Sequence, residues 1–318
     1  MTTAAAPLRI GLVGTGPWAR NTQAPAIAEH PGAVLSGVWG RRAEAAQELA
    51  DAHGATAYTG DAGLDALFAA SDAVAFALPP DVQAPLAARA AAAGCHLLMD
   101  KPVATTVAGA REVAEAAERA RVASLVFCTL RFAPETSAWI AEQHATGGWF
   151  TAHAHWVGAL WAPGADSEYA ASPWRREKGG LWDVGPHALS VLIPVLGDVI
   201  GLTAARGPSD AHHLVLRHAS GASSTVTLAL GAPTAAAGVG IELRGEHGTA
   251  GLPRWDGAVS AFRAAVDALI ESVRTGVAHP CDVRFGLRLT ELLADAESQA
   301  QTRAEERTRA EAQTRAEV

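Results

Sequence analysis

Cysteine is scarce: three residues, Cys95, Cys128 and Cys281, stand singly among 318. An odd, sparse set without ligand-like spacing points to neither a disulfide framework nor a zinc site, so no metal is expected. A reducing cytoplasm is the expected compartment. Basic charge is also in short supply. The chain has 25 Lys and Arg against 33 Asp and Glu, a formal charge of −8, and no basic block. That argues against a nucleic-acid partner, because neutralising phosphates takes a basic surface. Long apolar runs are missing. Stretches such as Asp72 to Leu78 fall far short of the roughly 20 residues a membrane helix requires, so no membrane partner is expected. Met1 to Pro7 carry no charge before the first apolar run, and no signal peptide is expected there.

Hydrophobic residues make up 49% of the chain and charged ones 18%, the balance of a folded protein with room for two domains. From residue 8 to 128, short apolar strands (Leu8–Val13, Ala33–Trp39, Ala73–Leu78, His96–Met99, Ser124–Cys128) alternate with Ala-rich amphipathic stretches (Ala43–Ala52, Gly63–Ala70, Val82–Ala93, Thr106–Arg121). This alternation predicts a doubly wound parallel sheet, an α/β Rossmann domain over 1–128. Beyond about residue 146 the pattern changes. Trp149–Gly158, Ile200–Arg206, Ala211–His218, Ser223–Leu230 and Gly238–Arg244 read as strands, with a hairpin at Ala219-Ser220-Gly221. Trp182–Leu196, Asp256–Thr275 and the chain from Arg284 read as helices. An α+β domain with a mostly antiparallel open sheet is expected over 129–303. Residues 304–318 are expected as a polar low-complexity tail. Thr-Arg-Ala-Glu occurs three times, from Thr302, Thr308 and Thr314. That six-residue spacing matches no heptad and suits a solvated helix extension or a frayed end.

Directly after the first strand comes Gly14-Thr15-Gly16-Pro17-Trp18-Ala19. Gly14 permits the tight turn and Gly16 lets a pyrophosphate approach the backbone. Ala19, in the third glycine place, lets strand and helix pack closely. Thr15, Pro17 and Trp18 share the turn and are candidate cofactor contacts. At the end of the second strand, where an acidic residue would bond the ribose of NAD, stands Trp39-Gly40-Arg41-Arg42. A guanidinium fork suits a 2′-phosphate, so NADP is expected, with NAD as the alternative. The other reading of Arg41 and Arg42 has them stacking on adenine or facing solvent.

Two further runs carry chemistry. Leu97-Leu98-Met99-Asp100-Lys101-Pro102 puts a charged pair at a strand's carboxyl end, where open α/β sheets bind ligands. In Gly179-Gly180-Leu181-Trp182-Asp183-Val184-Gly185-Pro186-His187, Asp183 and His187 are four apart. They share a face if the helix starts near Asp183, and an imidazole beside a carboxylate can take a hydroxyl proton. The alternative is a helix cap with a surface histidine. Trp156, Trp161, Trp174 and Trp182 lie nearby in sequence, with Arg175 and Arg176 beside them. Indoles stack on sugar rings, and they also fill cores and interfaces.

In combination, these motifs resemble the glucose-fructose oxidoreductase / inositol dehydrogenase / MocA (Gfo/Idh/MocA) family, from Leu8 to about Thr302. The resemblance also draws on Leu78-Pro79-Pro80, Arg131-Phe132-Ala133-Pro134 and the closing segment Phe262–Ser298 with Thr275-Gly276. It implies hydride transfer at a hydroxyl or carbonyl carbon of a sugar, a cyclitol or a related small molecule. It also implies a homo-oligomer, dimer or tetramer, through the second sheet. Lys101 would steady the substrate oxygen, His187 would be the general acid/base, and Asp183 would hold substrate or orient the histidine. Leu78, Pro79, Gln83, Asp100 and Lys101 would contact the cofactor. Arg131, Trp161, Trp174 and Trp182 are candidate substrate contacts. Three positions depart from the family pattern: Asp100 for its glutamate, Gln83 for a common histidine, and Ser190 for a second acidic residue. The last two suggest a different substrate shape. Other readings are an NAD-dependent dehydrogenase of the same type, a nucleotide-retaining glycoside hydrolase, and a non-enzymatic NADP-binding sensor.

Overall fold

The computed structural model describes residues 6–316, with side chains through Arg303. Two compact units form. One runs to Ser137 and takes in Arg254–Thr290; the other holds Ala138–Pro253 and the chain from Glu291.

The first unit begins with β1 (Leu8–Val13), a π-helical turn (Ala19–Gln23) and α1 (Ala24–Ala28). It continues through β2 (Ala33–Trp39), α2 (Ala43–Ala52), β3 (Thr56–Tyr58) and α3 (Gly60–Ala69). Then come β4 (Ala73–Phe76), α4 (Pro80–Ala92), β5 (His96–Asp100), α5 (Val107–Ala120), β6 (Ser124–Phe127) and the short α6 (Thr129–Phe132). The strands pair in parallel in the order β3-β2-β1-β4-β5-β6. This is the Rossmann order, with its switch point between β1 and β4. All of β4 and β6 is buried, as expected of strands covered on both faces. The expected bounds of β1, β2 and α2 match residue for residue.

The π-helical turn has a local cause. Pro25 has no N–H for the turn before it, and its ring crowds that turn's carbonyls. The helix widens by one residue, and the Ala24 N–H reaches back to the Ala19 carbonyl.

α7 (Pro134–Thr146), which enters the second unit after Ser137, leads into β7 (Trp149–Val157) and α8 (Pro173–Leu196). Next are β8 (Val199–Arg206), β9 (His212–His218), β10 (Ser223–Ala229), β11 (Gly238–Gly245) and β12 (Gly248–Gly251). The sheet order is β12-β11-β7-β10-β9-β8, antiparallel except between β7 and β10. The expected hairpin joins β9 to β10. Along β9, buried and exposed residues alternate strictly, so one face of the sheet is packed and the other bare.

Two helices close the chain, α9 (Gly257–Thr275) and α10 (Val283–Ala316). In the first unit α9 buries Phe262, Val266 and Leu269 with Ile10, Leu12, Leu125 and Phe127. Phe262 meets Phe127 edge-on, with ring centroids 4.9 Å apart. In the second unit, Gln299 lines the edge strand β8. It accepts from the Ala204 N–H and donates to the Leu202 carbonyl, both at 3.2 Å, satisfying backbone that an edge leaves open. The helix runs through the expected tail to Ala316, while the side chains of 304–318 lie outside the described residues. Among the described residues no helix is long and apolar enough to cross a membrane.

Candidate functional site

In the first unit the chain leaves β1 at Gly14 with φ of 130°. A Cβ there would collide with the Ala77 carbonyl oxygen, so the turn requires glycine on two grounds. Gly16 differs. A Cβ added to it meets nothing within 4 Å, so this backbone borders open space. Ala19 is fully buried, as close helix-to-strand packing demands. Gln23 fastens the helix to the end of β4 by donating to the Phe76 carbonyl at 2.8 Å.

The open space is a cavity of about 500 Å³, lined by the loops after β1, β2 and β4. Gly14, Thr15, Gly16 and Pro17 form one wall, Arg41 and Arg42 another, and Leu78 and Pro79 a third. It lies at the sheet's switch point, with the open glycine beside it, so these residues fit a dinucleotide. Arg20 also lines it, a residue the sequence reading passed over, although it lies one helical turn past Gly16. Its guanidinium donates to the Thr15 carbonyl at 3.3 Å. Among the described residues, no carboxylate lines this cavity. Glu44 and Glu48 line a separate one of about 330 Å³ that shares Arg20 and Arg42.

Trp18, Gln83, Asp100 and Lys101 lie outside that lining. Trp18 packs near Phe127, ring centroids 6.2 Å apart. Asp100 ends β5, and its carboxylate accepts from the Lys101 N–H at 2.8 Å. Gln83 is fully buried in α4. Its amide donates to the carbonyls of Asp100 (2.9 Å), Pro102 (3.2 Å) and Val103 (3.2 Å), and accepts from the Asp100 N–H at 2.9 Å. The expected cofactor contact at Gln83 therefore gives way to a positioning role: its amide fixes the turn that carries Lys101. Arg131, in α6, is half-buried near His279. Burial first, and the Arg131 guanidinium second, push that imidazole down to about 4.

In the second unit, α8 is two helices joined at Gly179, whose φ is 63°. A Cβ on Gly179 would strike the Asp210 carboxylate, and one on Gly180 would come within 2.8 Å of the Ala229 Cα in β10. The glycine pair thus supplies a left-handed residue and then a close approach. The second helix begins at Gly180, whose N–H donates to Asp210 Oδ2 at 2.6 Å. Asp210 is the cap, and Asp183 is free of that duty. From Gly180 to Leu192 every residue is buried, so its polar side chains need partners. Asp183 Oδ2 accepts from Arg175 Nε at 3.0 Å. His187, 6% exposed, stacks on Trp156 of β7 with ring centroids 4.8 Å apart at 23°. The surface-histidine alternative is overturned by that burial. Ser190 is also buried, bonding the His187 carbonyl at 2.8 Å.

The tryptophans divide. Trp182 is fully buried, a core residue under the Lys178 ammonium, so the expected substrate contact there does not hold. Trp161 and Trp174 are half-buried. Trp161 donates to the Ala170 carbonyl at 3.3 Å, and Trp174 lies under the Arg175 guanidinium, 4.9 Å from ring centre to carbon. All three cysteines are free and buried, and burial raises the Cys95 thiol to about 11.

Residues 8–127 match the model of the oxidoreductase family with an NAD-binding Rossmann fold. Solved structures extend the likeness in fold across both units. An oxidoreductase domain protein from Kribbella flavida is 22% identical, with a TM-score of 0.81 over 94% of this chain and 98% of that one. A myo-inositol dehydrogenase from Corynebacterium glutamicum is 22% identical, with a TM-score of 0.76 over 93% and 97%. The WlbA dehydrogenase from Bordetella pertussis, in complex with NADH and UDP-GlcNAcA, is 23% identical, with a TM-score of 0.77 over 93% and 97%. The matched residues carry the glycine turn on β1 and the Lys-Pro step after β5, so over 8–127 the chain is similar to that oxidoreductase family, and beyond them the likeness is one of fold.

Proposed function

We propose that the protein is an NADP-dependent oxidoreductase that moves a hydride between nicotinamide and a hydroxyl or carbonyl carbon of a sugar, cyclitol or related small molecule. The observation that carries the reading is the cavity at the glycine turn. Among the described residues, three guanidinium groups line it and no carboxylate does. Gly14, Thr15, Gly16 and Pro17 would hold the pyrophosphate, and Arg20, Arg41 and Arg42 the 2′-phosphate, through planar forks. Leu78 and Pro79 would flank the nicotinamide side. Bound nicotinamide supplies the hydride chemistry.

The chain's own groups do the rest. Lys101, on the turn fixed by Gln83, stabilises negative charge growing on the substrate oxygen. His187 takes or returns the hydroxyl proton, its ring held by Trp156. Asp183, held by Arg175, contributes charge one helical turn before it. The dehydrogenase names of the solved relatives support a sugar or cyclitol substrate. The reading includes a homo-oligomer, dimer or tetramer, through the bare face of the second sheet, where His213, Val215 and Arg217 are exposed. A reducing compartment suits three free thiols.

The test mixes purified protein with NADP(H) or NAD(H) and a panel of sugars and cyclitols, following the absorbance of the reduced cofactor. Turnover with a preference for NADP(H) is expected. Absence of both turnover and cofactor binding overturns the reading.

A further inference from the structure

Around α8, Lys178 and Asp210 are engaged by the protein itself, and Arg175 is left partly open. Lys178 bonds both oxygens of Glu297 at 3.2 Å. Asp210 is engaged by the Gly180 N–H. Arg175 is held differently. Its Nε donates to Asp183 Oδ2 at 3.0 Å, and its guanidinium lies over the rings of Trp174 (4.9 Å) and Tyr169 (5.3 Å). The side chain is 22% exposed, against 11% for Asp183. A guanidinium has five N–H donors, and Nε accounts for one. Among the described residues, Nη1 and Nη2, with the other four, have no hydrogen-bond partner.

This arrangement differs from a latch. An ion pair that only ties two segments together is strongest when the carboxylate takes both prongs of the fork. Here the carboxylate takes the inner N–H, and the aromatic rings fix the plane by cation–π contact. The outer edge, Nη1 with Nη2, is oriented and partly exposed. That edge matches two oxygens of one carboxylate or phosphate. A fork already immobilised loses little further entropy when it binds.

We infer that Arg175 is a specificity-determining residue that receives an oxyanion of the substrate, either a sugar carboxylate or the phosphate of a sugar phosphate or nucleotide-sugar. The inference rests on the proposed function, because it takes the Asp183–His187 helix as the place where substrate is handled. Asp183 keeps the fork aimed, and the anion completes a carboxylate–guanidinium–oxyanion chain. Neutral polyols lack the group that would meet it.

The experiment is a calorimetric binding titration of the full-length protein with NADP present, using D-glucuronate, UDP-glucose and D-glucose as separate probes. One or both anionic probes should bind at least about 10-fold more tightly than glucose, as a charge-assisted hydrogen-bonded pair provides. The glucuronate and UDP-glucose arms distinguish carboxylate from phosphate as the source. Arg175→Gln should erase the anion preference. Arg175→Lys keeps a cation for Asp183 while removing the planar edge, so it should retain the wild-type melting temperature but lose most of the preference. Equal binding of all three probes by the wild type overturns the inference. So does full anion affinity in Arg175→Lys, which would mark the residue as a latch. Binding is read without turnover. Anion preference in a protein with neither turnover nor cofactor binding sinks the proposed function and leaves the anion site standing, whereas turnover without anion preference does the reverse.

Discussion

Each unit starts a helix on a glycine pair, and the two starts are finished in opposite ways. At Gly14 and Gly16 the backbone faces a cavity, and a Cβ on Gly16 would meet nothing. At Gly179 and Gly180 the space is filled: Asp210 caps the N–H and the β10 backbone presses on the second glycine. A helix start left open by the protein is available to an anion, because its N–H groups and dipole point outward. One closed by the protein's own carboxylate is structural, and the roles proposed for this helix fall to side chains further along, Asp183 and His187.

The largest effects should come from the groups assigned to chemistry. Lys101→Met or His187→Gln should lower kcat/KM by roughly 10²–10⁴-fold, the usual worth of an electrostatic or acid–base group. NADP affinity, measured by titration, should stay near the wild-type value. Loss of cofactor binding in either variant would contradict the assigned roles.

The glycine comparison can be broken next. Gly180→Ala forces a methyl against the Ala229 backbone and should cost about 1–3 kcal/mol in denaturant unfolding, as overpacking does. Gly16→Ala should leave stability within about 0.5 kcal/mol and weaken NADP instead, because its methyl enters the space the ligand needs. Equal stability losses would erase the distinction between open and filled. Asp210→Ala, which uncaps Gly180, should cost about 1 kcal/mol, with NADP affinity unchanged.

A smaller effect concerns pH. His279 titrates near 4 in the folded chain because it is buried and close to Arg131, against 6.5 for an ordinary imidazole. As pH falls below 6.5 the unfolded chain takes up a proton that the folded chain refuses, so stability drops until about 4 and then levels. Burial also lowers His96, His212 and His218, which add to the same slope. His279→Asn should flatten melting temperature against pH in that window without abolishing its slope. An unchanged slope would show that His279 is not a source of it.

What the sequence disclosed was what local chemistry determines. β1 and β2 show as apolar runs, and the turn at Gly14 follows from residues within five positions of it. The bounds of α2 follow from its own amphipathic period. β3 and β12, three and four residues long, are too short to carry a period. The π-helical turn depends on one proline against one carbonyl. The second site was half legible. Asp183 and His187 stand out by spacing, but their setting comes from afar: Asp210 is 30 residues from Gly180, and Trp156 belongs to a different element from His187. Trp182 misled because its neighbours in sequence are candidate site residues while its own side chain points into the core. Arg20 was within reach, because one helical turn past Gly16 is where a side chain can return to the phosphates.

The central claim is that the open glycine turn with Arg20, Arg41 and Arg42 receives NADP. Its most direct test is competitive titration of NADPH and NADH on the wild type and on the Arg41→Ala/Arg42→Ala double variant. The wild type should prefer NADPH by about 10-fold or more, as phosphate–guanidinium pairs supply. The double variant should lose that preference while binding NADH as before. A wild type that prefers NADH, or a double variant that keeps the NADPH preference, would contradict it.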